Sequence, residues 1–190
     1  MENFKKFNLA HNIPIMRDKT IDFLYHMFDN YQIAQVLEIG TAYGYSSRYL
    51  ARHPSISKII TLENDTARFG VAQEYMKGET KIFPVNISAF DYEPKQDFDC
   101  IIFDGPKNNQ ERLFEKYSPH LKPKGFIFID NLNLFQKTDK EMTRNRIKLK
   151  DKVAAFKEYI KKLSTQSWHV EIHDIDDGFA ILRRKDETLN

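Results

Sequence analysis

Three oxygen-bearing side chains stand where apolar runs of the sequence stop: Asp104 after 97–103, and Asp130 with Asn131 after 126–129. Two carboxylates and an amide oxygen form a hard ligand set, better suited to Mg²⁺, Mn²⁺ or Ca²⁺ than to zinc. Asp-Gly is also a common turn and Asp-Asn a common cap, so these residues gain weight only from what surrounds them. Upstream, Val36, Leu37 and Ile39 run into two glycines four apart, Gly40 and Gly44, with Glu38 inside the run and Ser46 just beyond. Glycines there let the chain turn through angles a side chain forbids and let a ligand approach the backbone. The amides opening the next helix then favour a carboxylate or phosphate. A dinucleotide loop would carry a second glycine where Ala42 stands, so the spacing suits a nucleoside with an amino-acid tail better than a pyrophosphate. A second apolar run, 58–62, ends in Glu63, nineteen residues after Gly44, where a carboxylate can accept both hydroxyls of a ribose.

These residues need a scaffold that brings strand ends together. Ile21, Leu24, Tyr25 and Phe28 recur at helical spacing and predict an amphipathic helix over 17–30. The first strand and its glycine loop follow. Asp65 is placed to cap a helix with the stripe Phe69, Ala72 and Met76, closed by Gly78. A third strand, 81–85, contains Pro84 and is expected at an edge. A helix with Leu113, Phe114, Tyr117 and Leu121 is expected before a turn at 123–125. After an irregular stretch through Lys140, Val153, Phe156, Ile160 and Leu163 mark a late helix. Two last strands, 168–174 and 179–183, are joined through Asp176, Asp177 and Gly178. Strands alternate with helices until that hairpin. The expected fold is one doubly wound, mostly parallel α/β sheet of seven strands, with one antiparallel strand at or near its edge. In such sheets ligands bind beyond the carboxyl ends of the strands, where the suspected residues lie.

Composition sets bounds. A chain of 190 residues with 41% hydrophobic content suits one packed domain, 1–190, and excludes wholesale disorder. Its first 30 residues read as a cap and a helix; Phe4, Phe7, Ile13, Pro14, Ile15 and Met16 are too apolar for a free tail and are expected to pack on the domain or over the ligand. The single cysteine, Cys100, lies in an apolar run and is expected in the core. No apolar run approaches the roughly 18 residues of a membrane span, and the expected location is cytoplasmic. The net charge of +2 hides an asymmetry: Lys137 to Lys162 holds ten basic against four acidic residues, leaving the rest net negative. That segment is either a solvated helix face or a polyanion contact.

Glu38, Gly40, Gly44, Ser46 and Glu63 resemble motif I and the following acidic position of S-adenosylmethionine-dependent methyltransferases. With Asp104, Lys107 three residues on, and the pair Asp130 and Asn131, the chain resembles the divalent-metal-dependent, catechol-O-methyltransferase-like class. Ile13 to Met16, Leu37 to Thr41, Gly44 to Ser46, Phe103 and Asp104 with Lys107, and Asp177 with Gly178 resemble, more narrowly, the bacterial tRNA 5-hydroxyuridine methyltransferases; the similarity runs from about Ile13 to Arg184. The resemblance implies that Glu38, Gly40 and Ser46 line the methionine end of S-adenosyl-L-methionine, that Glu63 holds its ribose, that Met16 covers it, and that Asn86 and Ile87 border the adenine. It implies Asp104, Asp130 and Asn131 as ligands of Mg²⁺ or another hard divalent cation, with Lys107 as base or orienting group. Asn86 departs from the acidic residue relatives usually carry there. A homodimer is compatible with the resemblance.

The expected activity is transfer of a methyl group to a hydroxyl beside a second metal-binding oxygen, as in 5-hydroxyuridine at the tRNA wobble position; a catechol-like small molecule offers the same pair of oxygens. A basic approach surface, with Arg144, Arg146, Lys148, Lys150 and Lys152, favours tRNA. The other class to weigh is a non-catalytic cofactor- or RNA-binding protein of the same fold, which would not need the three metal-binding side chains. A hydrolase elbow at Gly44 to Ser46 is excluded by Arg48 in place of its second glycine.

Overall fold

The computed structural model describes residues 1–133 and 143–185. Its centre is built from the apolar runs: β1 (Gln35–Ile39), β2 (Lys58–Glu63), β3 (Ile82–Asn86), β4 (Phe98–Phe103) and β5 (Leu121–Asp130) pair in parallel. β6 (Trp168–His173) and β7 (Phe179–Arg184) complete a seven-stranded sheet in the order β3-β2-β1-β4-β5-β7-β6. β7 is antiparallel to both its neighbours, the one reversed strand expected near the edge. β3 is the opposite edge, where Pro84 costs no ladder hydrogen bond inside the sheet.

Helices cover both faces, which is why the central strands are apolar on both. On one face α1 (Glu2–Ala10), α2 (Asp18–Tyr31), α3 (Tyr45–Leu50) and α4 (Thr66–Tyr75) close a core containing Phe4, Leu24, Phe28, Leu50 and Ala72. On the other, α5 (Gln110–Tyr117) and α6 (Arg144–Leu163) bring Leu113, Phe114, Phe156 and Ile160 onto Leu37, Ile39 and Phe103. β1 alternates accordingly: Leu37 and Ile39 face the second core, whereas Val36 belongs to the first. Cys100 is a buried free thiol, and burial raises its pKa well above the ordinary value, as expected of a core residue.

Two expectations change. Leu121 belongs to β5, not to the preceding helix: α5 stops at Tyr117, a short 3-10 turn covers 118–120, and Leu121 pairs with Phe98. The expected turn at 123–125 lies inside β5, where pairing with β4 slips between Leu121 and Phe126 and Lys124 takes a φ of +66°. At the N-terminus, α1 packs Phe4 against Tyr45 and Tyr75. The expected irregular stretch and the start of the basic segment, 134–142, lie outside the described residues. The rest of that segment is α6, capped by the Thr143 hydroxyl. Val153 is its first buried residue, so the nine residues before it are a charged, mostly exposed extension. Among the described residues no helix is long and apolar enough to cross a membrane.

Candidate active site

A cavity of about 480 Å³ opens at the carboxyl ends of β1, β2, β4 and β5, within the usual range for a small-molecule site. Its floor is the glycine loop, Gly40 to Tyr43, with Tyr45 and Ser46. Gly40 has a φ of +107°, and a Cβ there would sit 2.7 Å from the Cα of Gly105, so the β1 and β4 loops pass back to back. Gly44 caps α3 in the left-handed region at φ +85°. α3 is only six residues long, which limits the dipole that the opening amides can aim at an anion.

Beneath this loop lies Glu38. It is fully buried, and its carboxylate accepts hydrogen bonds from the hydroxyls of Ser46, Ser47 and, at 2.6 Å, Thr61, which itself meets the Thr41 hydroxyl at 2.7 Å. Burial pushes its pKa up, and these three donors pull the other way. Glu38 is therefore a hub tying β1, β2 and α3 together, and it does not itself line the cavity. Glu63 does. One of its oxygens accepts the Ala42 amide at 2.8 Å and the other the Asp65 amide at 2.9 Å, so the acid expected at a ribose also fixes the glycine loop. Asp65 caps α4 as expected, accepting from the Ala67 and Arg68 amides.

The remaining walls come from four segments, the first being α1 through Asn8. Pro14, Ile15 and Met16 close one side, and Ile87 to Phe90 the far side. Asn86 turns away: its amide donates to the Glu63 carbonyl at 2.8 Å and accepts from Thr66 at 3.1 Å. The fourth segment is Asp104 to Lys107, together with Asn131.

Here the two carboxylates meet. Asn131 donates its side-chain amide to Asp104 at 3.3 Å and its backbone amide to Asp130 at 2.8 Å, while Lys107 Nζ donates to the Asp130 carbonyl at 3.2 Å. Burial raises the pKa of both acids well above the usual carboxylate range, and the charge of Asp104 raises Asp130 further; Lys107 opposes this for both. Two desolvated carboxyls bridged by Asn131, with the single lysine Lys107 nearby on the Asp130 carbonyl, are short of positive charge, which is the condition a divalent cation relieves. Rotating the Asn131 amide by half a turn presents its oxygen beside them. Among the described residues no three His, Cys, Asp or Glu side chains cluster as a metal cage; two acids and an amide, were they to hold a hard cation, would leave part of its six or more oxygen positions open. The donor set fits a hard divalent ion.

The loop carrying Asp130 is buttressed from the β6–β7 turn. Leu132 and Asn133 amides donate to the carbonyls of Gly178 and Asp177 at 2.8 and 2.7 Å. Asp176 accepts from the Thr20 amide at 3.0 Å and Asp177 from Arg17 at 2.9 Å, tying the start of α2 to the same turn. Sequence reasoning missed these contacts, together with Arg68, Ser88 and Phe90 of the cavity and Thr61 of the hub, which carry no local motif and depend on register or loop path; Tyr43 and Ser47 lie in the glycine-loop stretch but had no role assigned there.

The family described as "Methyltransferase domain" matches residues 37–132, half of the chain and all of the segment that builds the glycine loop, Glu63, Asp104 and Asp130. Among solved structures, a Staphylococcus aureus protein assigned as a caffeoyl-CoA O-methyltransferase is 25% identical with a TM-score of 0.88, covering 97% of this chain and 91% of that one. An O-methyltransferase from Bacillus cereus, in complex with SAH, is 22% identical with a TM-score of 0.77, covering 97% and 90%. The O-methyltransferase TomG from Streptomyces achromogenes, in complex with SAM, is 20% identical with a TM-score of 0.75, covering 94% and 86%. The last two bear on the fold alone, and it is the fold found here. Through the match over 37–132, the chain belongs to the methyltransferase domain family and is a methyltransferase.

Proposed function

We propose that the protein is an S-adenosylmethionine-dependent O-methyltransferase that uses a hard divalent cation and methylates 5-hydroxyuridine at the wobble position of tRNA. The observation that carries the reading is one cavity with the glycine loop and Glu63 on one side and Asp104, Asn131 and Lys107 on the other. S-Adenosylmethionine supplies an electrophilic methyl group on a sulfonium sulfur. A cation held by Asp104, Asp130 and Asn131 supplies charge that favours the ionised form of a hydroxyl and a grip on two neighbouring oxygens. Glu63 accepts from ribose hydroxyls, Met16 and the segment 87–90 exclude water, and the glycine loop lets the ligand lie on the backbone. Lys107 points its ammonium at the Asp130 loop and is in place to orient the acceptor oxygen or, deprotonated, to take its proton. The Staphylococcus aureus protein assigned as a caffeoyl-CoA O-methyltransferase supports oxygen as the acceptor.

The charged extension of α6 supports a nucleic acid over a free catechol. Arg144, Arg146, Lys148, Lys150 and Lys152 are exposed, and Lys152 donates to Asn108 at 2.7 Å, next to Lys107. The basic surface therefore adjoins the proposed catalytic loop, where phosphates flanking a target base would pass. Neutralising the five is expected to lower kcat/KM for tRNA by about tenfold or more at physiological salt and to flatten its salt dependence, while sparing a free small substrate. Equal loss on both would remove the extension from RNA binding.

The decisive assay is transfer of labelled methyl from S-adenosylmethionine to tRNA bearing unmethylated 5-hydroxyuridine, with Mg²⁺ and with chelator, beside a catechol. Chelator-sensitive labelling of the tRNA alone is expected. Labelling of the catechol alone would move the substrate to small molecules, and labelling of neither would favour a non-catalytic binding protein.

A further inference from the structure

In the wall formed by α1, Asn8 is wholly buried yet half used. Its Nδ2 donates to the Phe4 carbonyl at 2.7 Å, whereas its Oδ1 has no hydrogen-bond partner. An unpaired buried acceptor costs about 1–3 kcal/mol, and folds keep few of them without a reason. Asn8 lines the cavity beside Met16, Thr41, Ala42 and Tyr45. Its position is tightly held: the backbone carbonyl of Asn8 accepts from the Ile13 amide at 2.9 Å, and the ring of Phe7 lies 6.1 Å from that of Tyr43 in the glycine loop.

Glu38, the acid beneath the glycine loop, does not line the cavity and is not placed to meet a cationic ligand group directly. It is sealed beneath the loop with three hydroxyl donors already on its carboxylate. A ligand whose ribose meets Glu63 and whose reacting centre faces Lys107 leaves its third arm to the rest of the lining, which includes Thr41, Ser46 and Asn8. We propose that Asn8 Oδ1 accepts a hydrogen bond from the α-ammonium of the cofactor's amino-acid tail, so that α1 supplies part of the cofactor site. This rests on the S-adenosylmethionine reading above. It gives the unpaired acceptor its donor and makes α1 part of the cofactor wall.

The test is calorimetric binding of S-adenosylhomocysteine, and of its analogue with hydrogen in place of the amino group, to the full chain and to Asn8→Ala and Asn8→Asp. A hydrogen bond to a charged donor predicts that Asn8→Ala weakens S-adenosylhomocysteine by about tenfold to a hundredfold and the deaminated analogue by less than about twofold. Asn8→Asp keeps an acceptor but loses the Nδ2 donor to the Phe4 carbonyl, so it should weaken both ligands through that loss and yet discriminate between them, binding S-adenosylhomocysteine better than the deaminated analogue, as Asn8→Ala does not. Equal weakening of both ligands by Asn8→Ala would show that Asn8 only supports α1 and would overturn the proposal. If the wild-type chain bound neither ligand, the cofactor reading itself would fall, an outcome distinct from the first.

Discussion

Asp130→Ala is expected to abolish turnover, by about a thousandfold or more at saturating cofactor and cation, while the protein remains folded. The variant removes one of two carboxyls whose pKa values burial raises well above the ordinary range, with the charge of Asp104 raising Asp130 further. The sign of the accompanying pH effect follows from that direction. In the metal-free protein the folded state binds more protons than the unfolded chain from about pH 4, the ordinary carboxylate pKa, upward. Stability from this pair is therefore present at low pH and lost as the pH rises towards the raised values. A divalent cation that binds the ionised pair should restore it, so the gain in Tm on adding Mg²⁺ or Mn²⁺ should be larger at pH 8 than at pH 6. Asp130→Ala should erase most of that gain. Thermal melts at the two pH values, with cation and with chelator, decide the matter: a gain independent of pH, or one that survives in Asp130→Ala, would move the cation elsewhere, and retained turnover would remove it from the mechanism.

The parts of this site that could be read from the sequence are those with short-range signals. An apolar run ending at Gly40, a second ending at Glu63 and acids at two further strand ends follow from short continuous apolar runs, the mark of strands buried on both faces, and from backbone angles that glycine alone adopts freely. Pro84 named its own edge strand because proline cannot donate to a ladder. What escaped depends on which strand lies beside which. Thr61 is an unremarkable hydroxyl in a strand until register sets it opposite Glu38. Asp176 and Asp177 read as a hairpin turn, and only the folded chain shows them holding α2 and the Asp130 loop. Leu121 failed for a related reason: its apolar spacing continues the α5 stripe, but pairing with Phe98 across β4 offers it a strand instead. Tertiary pairing outweighed local periodicity there. The charges of the α6 extension were countable from the sequence, whereas their position beside Lys107 was not.

The same dependence on register makes Glu38 the residue whose loss should cost most in stability. Glu38→Ala leaves the hydroxyls of Ser46, Ser47 and Thr61 without their common acceptor in a buried layer, and opens a void under the glycine loop. With about 1–3 kcal/mol for each buried group left unpaired, partly recovered by reorientation towards Thr41, the expected loss is about 3–5 kcal/mol. Glu38→Gln separates charge from shape. Its amide fills the same space, and the three hydroxyls can turn to accept as well as donate, so the cost should be about 1–2 kcal/mol. Burial raises the Glu38 pKa, with Glu63 as the nearest charge acting in the same direction. A carboxyl raised in the folded state stabilises most when protonated, and that stability is lost as pH rises from its ordinary value. The gap between wild type and Glu38→Gln in denaturant unfolding should therefore narrow from pH 4.5 to pH 8. A gap that widens over that range would mean that the three donors outweigh burial and that the hub holds a carboxylate anion, which would in turn leave a negative charge directly beneath the cavity floor for a cationic ligand to feel.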